Sequence, residues 1–344
     1  MIYKFNFIEK MLLNKDIIAH PFADIGSNVG LAKALGVAVK LKITDQLSSE
    51  EKSSAQIAKQ CSVSEKGVEL LLGCLEAMGY TERNSNGWKF TKRGLKFLDK
   101  NSPDSFRYFI LYCDWLFNSI ISLEDTIVHG KPSKINYDVF GEHEWELYSR
   151  AMIEISRTNL KEVAGKIKLP PNTSKLIDLG GSHGQYSIEL CKRNNNLSAT
   201  ILDFEIVRKY ADECIQMHSM QSRVQFQATD FMKEDLPQGN DAALLFNIIH
   251  GLTPDQNRLL FGKIFSSLNK GGQLIILDQI KGVGGNSQLS KATTSFMALN
   301  LFHQANGNTY SFDEVRAWAN DAGFSNQQLR KLHAPGFGLI SCEK

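Results

Sequence analysis

Five residues of this 344-residue chain combine reactive side chains with regular placement: Asp178, Asp203, Asp230, His250 and Asp278. Each stands at or just past the end of a short apolar run. An imidazole, with an unperturbed pKa of about 6.5, can take a proton from a hydroxyl near neutral pH. Carboxylates can accept hydrogen bonds from sugar hydroxyls, or hold such an imidazole in one orientation. Together these types suit proton removal beside a nucleoside-like ligand, provided that one fold brings them into a single crevice.

The elements needed for that are legible from Lys175 onward. Apolar runs at Lys175–Leu179, Ala199–Leu202, Val224–Ala228, Asp241–Ile249 and Gln273–Leu277 alternate with helical periodicity. This is the pattern of a parallel sheet covered by helices on both faces. Ligands of such sheets bind outside the carboxyl ends of the strands, where the four aspartates and His250 are expected to converge. Phe312–Ala322 reads as a helix closed by Gly323. Asn326–Leu332 and Phe337–Cys342 read as a terminal hairpin that makes one strand antiparallel.

The first strand is followed by Gly180, Gly181 and Gly184 and then by the helical stretch Tyr186–Cys191. A strand, glycine turn and helix in that order bring bare backbone and helix amide groups against a ligand. The dinucleotide fingerprint G-x-G-x-x-G would need glycine at Leu179, which argues against a nicotinamide cofactor. The sequence here, D-x-G-x-S-x-G, resembles an S-adenosylmethionine (SAM) loop, with Ser182 where glycine is more usual. Asp203 follows the turn by about 20 residues, the distance of a carboxylate that accepts ribose hydroxyls.

With 42% hydrophobic and 22% charged residues the composition is that of a globular chain, long enough for two domains. A net charge of +2 supplies no field to gather nucleic acid or an anionic membrane. No apolar run reaches the length of a membrane span, and residues 1–13 carry no clean signal-peptide pattern, so a cytoplasmic protein is expected. The six cysteines lack C-x-x-C spacing, and the eight histidines show no metal-ligand spacing. Reduced thiols and no metal are the expectation.

Ahead of the sheet, Leu31, Leu35, Val39 and Ile43 share helical spacing. Ala55–Gln60 and Glu65–Met78 read as two helices, and Tyr80–Arg83 with Trp88–Thr91 as a hairpin around Asn84–Gly87. This winged-helix pattern is poorly suited to DNA, since the second helix sets Lys66 against Glu65, Glu69 and Glu76. Its leucines, Leu70, Leu71, Leu72 and Leu75, exceed what one small core buries and point to a protein interface. Phe106–Ile121 is strongly apolar. Trp145–Ile167 reads as one long connecting helix, with Tyr148, Met152 and Ile155 on a shared face.

With these pieces placed, nearly the whole chain resembles the SAM-dependent O-methyltransferases of plant and bacterial natural-product pathways. The segments that carry the resemblance are L-I-D-L-G-G-S-H-G, I-L-D-F, A-T-D-F, N-I-I-H, L-N-K-G-G-Q-L-I-I-L-D and Y-S-F-D-E-V-R-A-W-A-N-D-A-G-F. The resemblance implies an α/β fold: a Rossmann-like class I methyltransferase sheet, mostly parallel with an antiparallel C-terminal hairpin, behind a mainly helical winged-helix domain. It implies a dimerisation domain over 1–100, a helical connector contributing to the acceptor pocket over 101–169, and a SAM-binding domain over 170–344. The partners expected are a small-molecule acceptor and a second copy of the chain.

By the same resemblance, the cofactor is held by Asp178, Gly180, Gly184, Asp203 on the ribose, Phe204, Asp230 and Phe231 beside the adenine, and Asn247. His250 falls at the general base, with Asp278 as its orienting partner. Tyr148 and Met152 line the acceptor pocket, roofed by a segment containing Phe296, Leu299, Asn300 and His303. The sequence departs from the pattern in three places: Ser182 replaces a glycine, Gly251 an aspartate, and Thr309 an acidic partner of the histidine. Ser182 is expected to be tolerated if its backbone angles are ordinary.

Overall fold

The computed structural model describes residues 6–15, 17, 21, 25–26, 28–133, 139–284 and 287–344, so part of the stretch read before Leu47 lies outside it. The chain divides into two compact units, Met1–Asn118 and Ser119–Lys344. The expected connector 101–169 is therefore shared between them.

In the first unit the helices are α1 (Phe7–Asn14), α2 (Asn28–Lys40), α3 (Ser54–Cys61), α4 (Glu65–Ala77) and α5 (Lys92–Phe97). A hairpin of β1 (Thr81–Asn84) and β2 (Gly87–Phe90) lies between the last two. Ser53 and Gln56 form a reciprocal capping box that starts α3, and the Ser64 hydroxyl caps α4. Ile43, Ile57, Val68, Leu72, Leu75, Trp88 and Phe90 form the core. Of the four leucines on α4, Leu72 and Leu75 are in that core, whereas Leu70 is 63% exposed. The boundary between the units falls within α6 (Arg107–Ile120).

The second unit is built on a sheet of β3 (Lys175–Leu179), β4 (Ser198–Asp203), β5 (Val224–Ala228), β6 (Asn240–Phe246), β7 (Leu268–Lys281), β8 (Tyr310–Ser311), β9 (Ser325–Lys331) and β10 (Phe337–Glu343). The order is β5-β4-β3-β6-β7-β10-β9, with β8 beside β7. Pairing is parallel from β5 to β7, and β10 runs antiparallel to both of its neighbours. Its helices are α7 (Leu123–His129), α8 (Glu142–Ser156), α9 (Leu160–Lys166), α10 (Gln185–Arg193), α11 (Arg208–Met217), α12 (Pro254–Ser267), α13 (Gln288–Ala305) and α14 (Phe312–Ala322).

Alternation along the strands explains why both faces are covered. Ile177, Leu179, Ala243, Leu245, Leu274 and Ile276 join the core beneath α12 and α14. Their neighbours Leu176, Ala242, Leu244, Ile275 and Leu277 join a second core beneath α9, α10 and α11. A strand buried on both faces must be apolar at successive positions, and these are.

Three boundaries differ from the sequence reading. The long helix expected over Trp145–Ile167 is two helices, broken at Arg157–Asn159. The fourth strand ends at Phe246, because Asn247 takes a left-handed backbone (φ 56°) and gives its N–H to the Leu277 carbonyl. His250 thus sits beyond the strand, in the short turn Ile249–Gly251. The expected turn Asn269–Gly272 is absorbed into β7 through a register shift against β6, and Asp278 lies inside that strand rather than at its tip.

Candidate active site

The glycine turn is shaped by close approach. A Cβ at Gly180 would come within 2.3 Å of Ile248 Cδ1, and one at Gly184 within 2.3 Å of Ile201 Cδ1; both glycines have left-handed backbone. The first contact presses the turn against the loop that carries His250. Gly181 lies over Asp178, whose carboxyl carbon would be 2.5 Å from an added Cβ. Ser182 departs from the expectation of ordinary angles: its φ is +46°, a region that costs a non-glycine residue roughly 1–2 kcal/mol. Its hydroxyl is buried with no hydrogen-bond partner among the described residues.

Two aspartates hold this turn. Asp203, closing β4, accepts the Ser182 N–H at 2.9 Å on Oδ2 and the Phe204 N–H at 2.7 Å on Oδ1. Each oxygen keeps a second lone pair. Burial nevertheless pushes the Asp203 carboxyl up to about 6, against the pull of those amides. Asp178 is 2% exposed and accepts the Ser187 hydroxyl at 2.7 Å; burial, followed by repulsion from Asp203, raises it to about 7. It lies under the turn rather than open beside it.

Asp230, just past β5, is held below the usual carboxylate range by Lys233 at 2.9 Å. Phe231 packs into the core next to Gly180, whereas Phe204 is 50% exposed and Asn247 is exposed. A carboxylate with lone pairs free to accept from vicinal hydroxyls, an exposed aromatic ring and bare backbone suit a nucleoside.

The imidazole is held from β7. His250 Nδ1 lies 2.7 Å from Asp278 Oδ1, which also accepts the Gln279 N–H at 2.7 Å. Asp278 is fully buried, its Oδ2 has no hydrogen-bond partner among the described residues, and the His250 side chain is 20% exposed. The Asn308 N–H binds the His250 carbonyl at 2.9 Å, and Gly307 closes on the same carbonyl. Thr309, at the departure from the family pattern, is buried at 5% exposure.

The expected acceptor residues divide. Tyr148, on α8, packs edge-on against Trp145 and Phe140. Phe296 and Leu299, on α13, are 56% and 36% exposed, and Asn300 Oδ1 is buried without a partner among the described residues. His303 is 1% exposed: its Nδ1 lies 2.8 Å from the Thr126 hydroxyl and its Nε2 2.9 Å from the Ser119 carbonyl. A carbonyl only accepts, so the Nε2 proton is committed there, and His303 is anchored in the body of the unit rather than presented to a ligand.

Sequence reasoning placed Gly181 in the turn without a role of its own, and missed Ile248 and His183. The first stood in view in the glycine pair, whereas the packing of Ile248 and the buried bonds of His183 left no trace in spacing. No group of three or more histidine, cysteine or acidic residues among the described residues could hold a metal ion. No helix among them is long and apolar enough to cross a membrane.

The O-methyltransferase domain family matches residues 123–325. Over 319 residues the chain is 23% identical to a 3-hydroxy-5-methyl-1-naphthoate 3-O-methyltransferase of Streptomyces sahachiroi, covering 91% of each chain. It is also 26% identical over 200 residues to an L-tyrosine C(3)-methyltransferase of Streptomyces lavendulae, covering 57% of this chain and 53% of that one. Human N-acetylserotonin methyltransferase in complex with SAM shares the fold at a TM-score of 0.82 and 20% identity, over 99% of both chains.

Proposed function

Because the chain belongs to the O-methyltransferase domain family and is a SAM-dependent enzyme, we propose that it methylates a hydroxyl of a small aromatic, natural-product-like acceptor with His250 as general base. The observation that carries this reading is the 2.7 Å contact from His250 Nδ1 to Asp278. An ionised carboxylate only accepts, so Nδ1 keeps its proton and the lone pair of Nε2 is left to receive one.

The cofactor, when bound, supplies a methyl group already activated on a sulfonium. What remains for the protein is to align the acceptor oxygen, worth up to ~7–11 kcal/mol in the best intramolecular cases, and to remove its proton, worth about 10²–10⁴ in rate. In this reading Asp203 accepts the ribose hydroxyls, and Phe204, Asp230, Phe231 and Asn247 surround the base. Asp178, Gly180 and Gly184 form the floor of the methionyl end. Tyr148, Met152, Phe296, Leu299 and Asn300 form the acceptor wall, and His303 braces it from behind. The naphthoate relative, named for methylating an aromatic hydroxyl, supports the aromatic class.

Residues 1–100 serve in this proposal as the dimerisation domain, with the exposed Leu70 at the contact. Residues 101–169 bring α8 to the acceptor, and 170–344 bind the cofactor. The relative named for methylating a tyrosine ring carbon favours a second reading, C-methylation on the same site. Incubation with methyl-labelled SAM and a panel of hydroxylated one- and two-ring aromatics tests both. Label on oxygen supports the first reading and label on carbon the second, while no transfer to any ring compound removes the aromatic acceptor.

A further inference from the structure

His183 lies between two left-handed residues, Ser182 and Gly184, yet its ring is 5% exposed and used on both edges. The Gln185 N–H donates to Nδ1 at 3.1 Å. That nitrogen is therefore unprotonated and Nε2 carries the hydrogen, with the Met152 backbone of α8 close enough to favour the ring's charged form. Two side chains at the start of α10, directly after the turn, bind the last residue of α8 and the break that follows it. The Ser156 hydroxyl donates to Gln185 Oε1 at 2.5 Å, and the Tyr186 hydroxyl donates to Asn159 Oδ1 at 2.6 Å.

Met152 and Ser156, four residues apart on α8, share one face toward the turn, whereas Asn159 lies in the break that follows the helix. Meanwhile the N–H of Ser182, next to His183, is bound to Asp203. A path thus runs from the carboxylate at the tip of β4, through the turn to His183 Nδ1 and the Gln185 N–H, and by the Gln185 side chain to Ser156 of α8. Burial, with Arg157 nearby, pushes His183 down to about 4 although the Met152 backbone resists it. The ring stays neutral at working pH, and the seam is permanent rather than a pH switch.

We infer that His183 is a positioning residue that fastens the acceptor wall to the cofactor turn, so that filling the cofactor site orders α8. This rests on the reading that α8 lines the acceptor pocket. The seam would explain how the methyl donor and acceptor keep a fixed separation although their walls lie on elements with no strand in common. Alignment is the larger part of this catalysis, and small misplacements of a reacting atom are costly.

Hydrogen exchange with and without S-adenosylhomocysteine tests this without knowledge of the acceptor. In the unaltered protein, the ligand is expected to slow exchange at least fivefold both in 178–186 and in 142–156. In His183→Leu the first protection should remain and the second should fall below twofold; His183→Gln, whose amide oxygen can still accept the Gln185 N–H, should restore it. Undiminished protection of 142–156 in His183→Leu overturns the inference. Should His183→Leu not fold, Ser156→Ala removes an outer bond of the seam. Ser156→Ala must then weaken protection of α8 alone, and the inference fails if it does not. The acceptor reading is tested separately: Tyr148→Ala that leaves methyl transfer untouched refutes it while the exchange coupling can persist. Failure of the ligand to bind at all, by calorimetry, strikes the cofactor site instead.

Discussion

Asp278→Asn isolates what the buried carboxylate does for His250. The substitution keeps shape and volume. It leaves an amide oxygen that can still accept the Gln279 N–H, now at 2.7 Å, but it removes the negative charge that faces Nδ1 at the same distance. When His250 takes the acceptor's proton it becomes a cation beside that site. Two unit charges with centres roughly 4 Å apart interact by about 4 kcal/mol at an effective dielectric of 20. Because Asp278 is fully buried, solvent screens little of this. Loss of most of it lowers kcat by about 10²–10³. Turnover is read by release of S-adenosylhomocysteine with the best acceptor of the aromatic panel, and the Kd of that product is expected to change less than threefold. Residues that act as a unit are non-additive, so adding Asp278→Asn to His250→Ala should cause no further loss. A kcat within threefold of the parent, or losses that multiply in the double variant, would refute the reasoning.

Other consequences follow from the turn. Asp203 and Asp178, raised to about 6 and about 7, are largely protonated at pH 5, whereas the ionised form accepts donated hydrogen bonds more strongly and on both oxygens. SAM affinity should therefore strengthen from pH 5 to 7.5 with release of protons, seen as a buffer-dependent calorimetric heat; a flat profile contradicts this. With folded pKa values above the unfolded 3.8–3.9, the stability these two groups contribute is present below about pH 4 and lost as pH rises through about 6 to 7. Asp178→Asn should then raise the Tm of the ligand-free protein at pH 8, by at most about 4 kcal/mol in free energy, and leave it nearly unchanged at pH 4. Gly184→Ala adds a Cβ 2.3 Å from Ile201 Cδ1 to a left-handed backbone, and should cost about 2–5 kcal/mol in denaturant unfolding. Ser182→Gly should stabilise by about 1 kcal/mol, since it relieves the positive φ and removes the buried hydroxyl without a hydrogen-bond partner.

The fold was legible where periodicity had one cause. Strands buried on both faces read as apolar runs, and helix α14 with its closing Gly323 was visible to the residue because cap and stop signals agree with the apolar spacing. Boundaries were lost where tertiary bonds overrode local pattern. Arg157–Asn159 carries no helix breaker, yet the chain breaks there, and Asn159 receives the Tyr186 hydroxyl across the interface with the turn. The left-handed Asn247 likewise ended a strand that its apolar neighbours Ile248 and Ile249 would extend. For the site, the approach of Asp278 to His250 followed from topology, since β7, which holds Asp278, is the parallel neighbour of β6, which His250 follows. The anchoring of His303 could not be read, because Ser119 and Thr126 are more than 170 residues away in sequence.

If His250 takes a proton from an acceptor hydroxyl, the imidazole is needed for transfer to oxygen and not for holding the cofactor. Carbon NMR of the product formed from carbon-13-methyl-labelled SAM tests it most directly, with His250→Ala run in parallel. A labelled methoxy carbon is expected from the parent protein and at least a hundredfold less of it from the variant, which should still bind S-adenosylhomocysteine with unchanged Kd. A methyl on ring carbon, or equal product from His250→Ala, would contradict it.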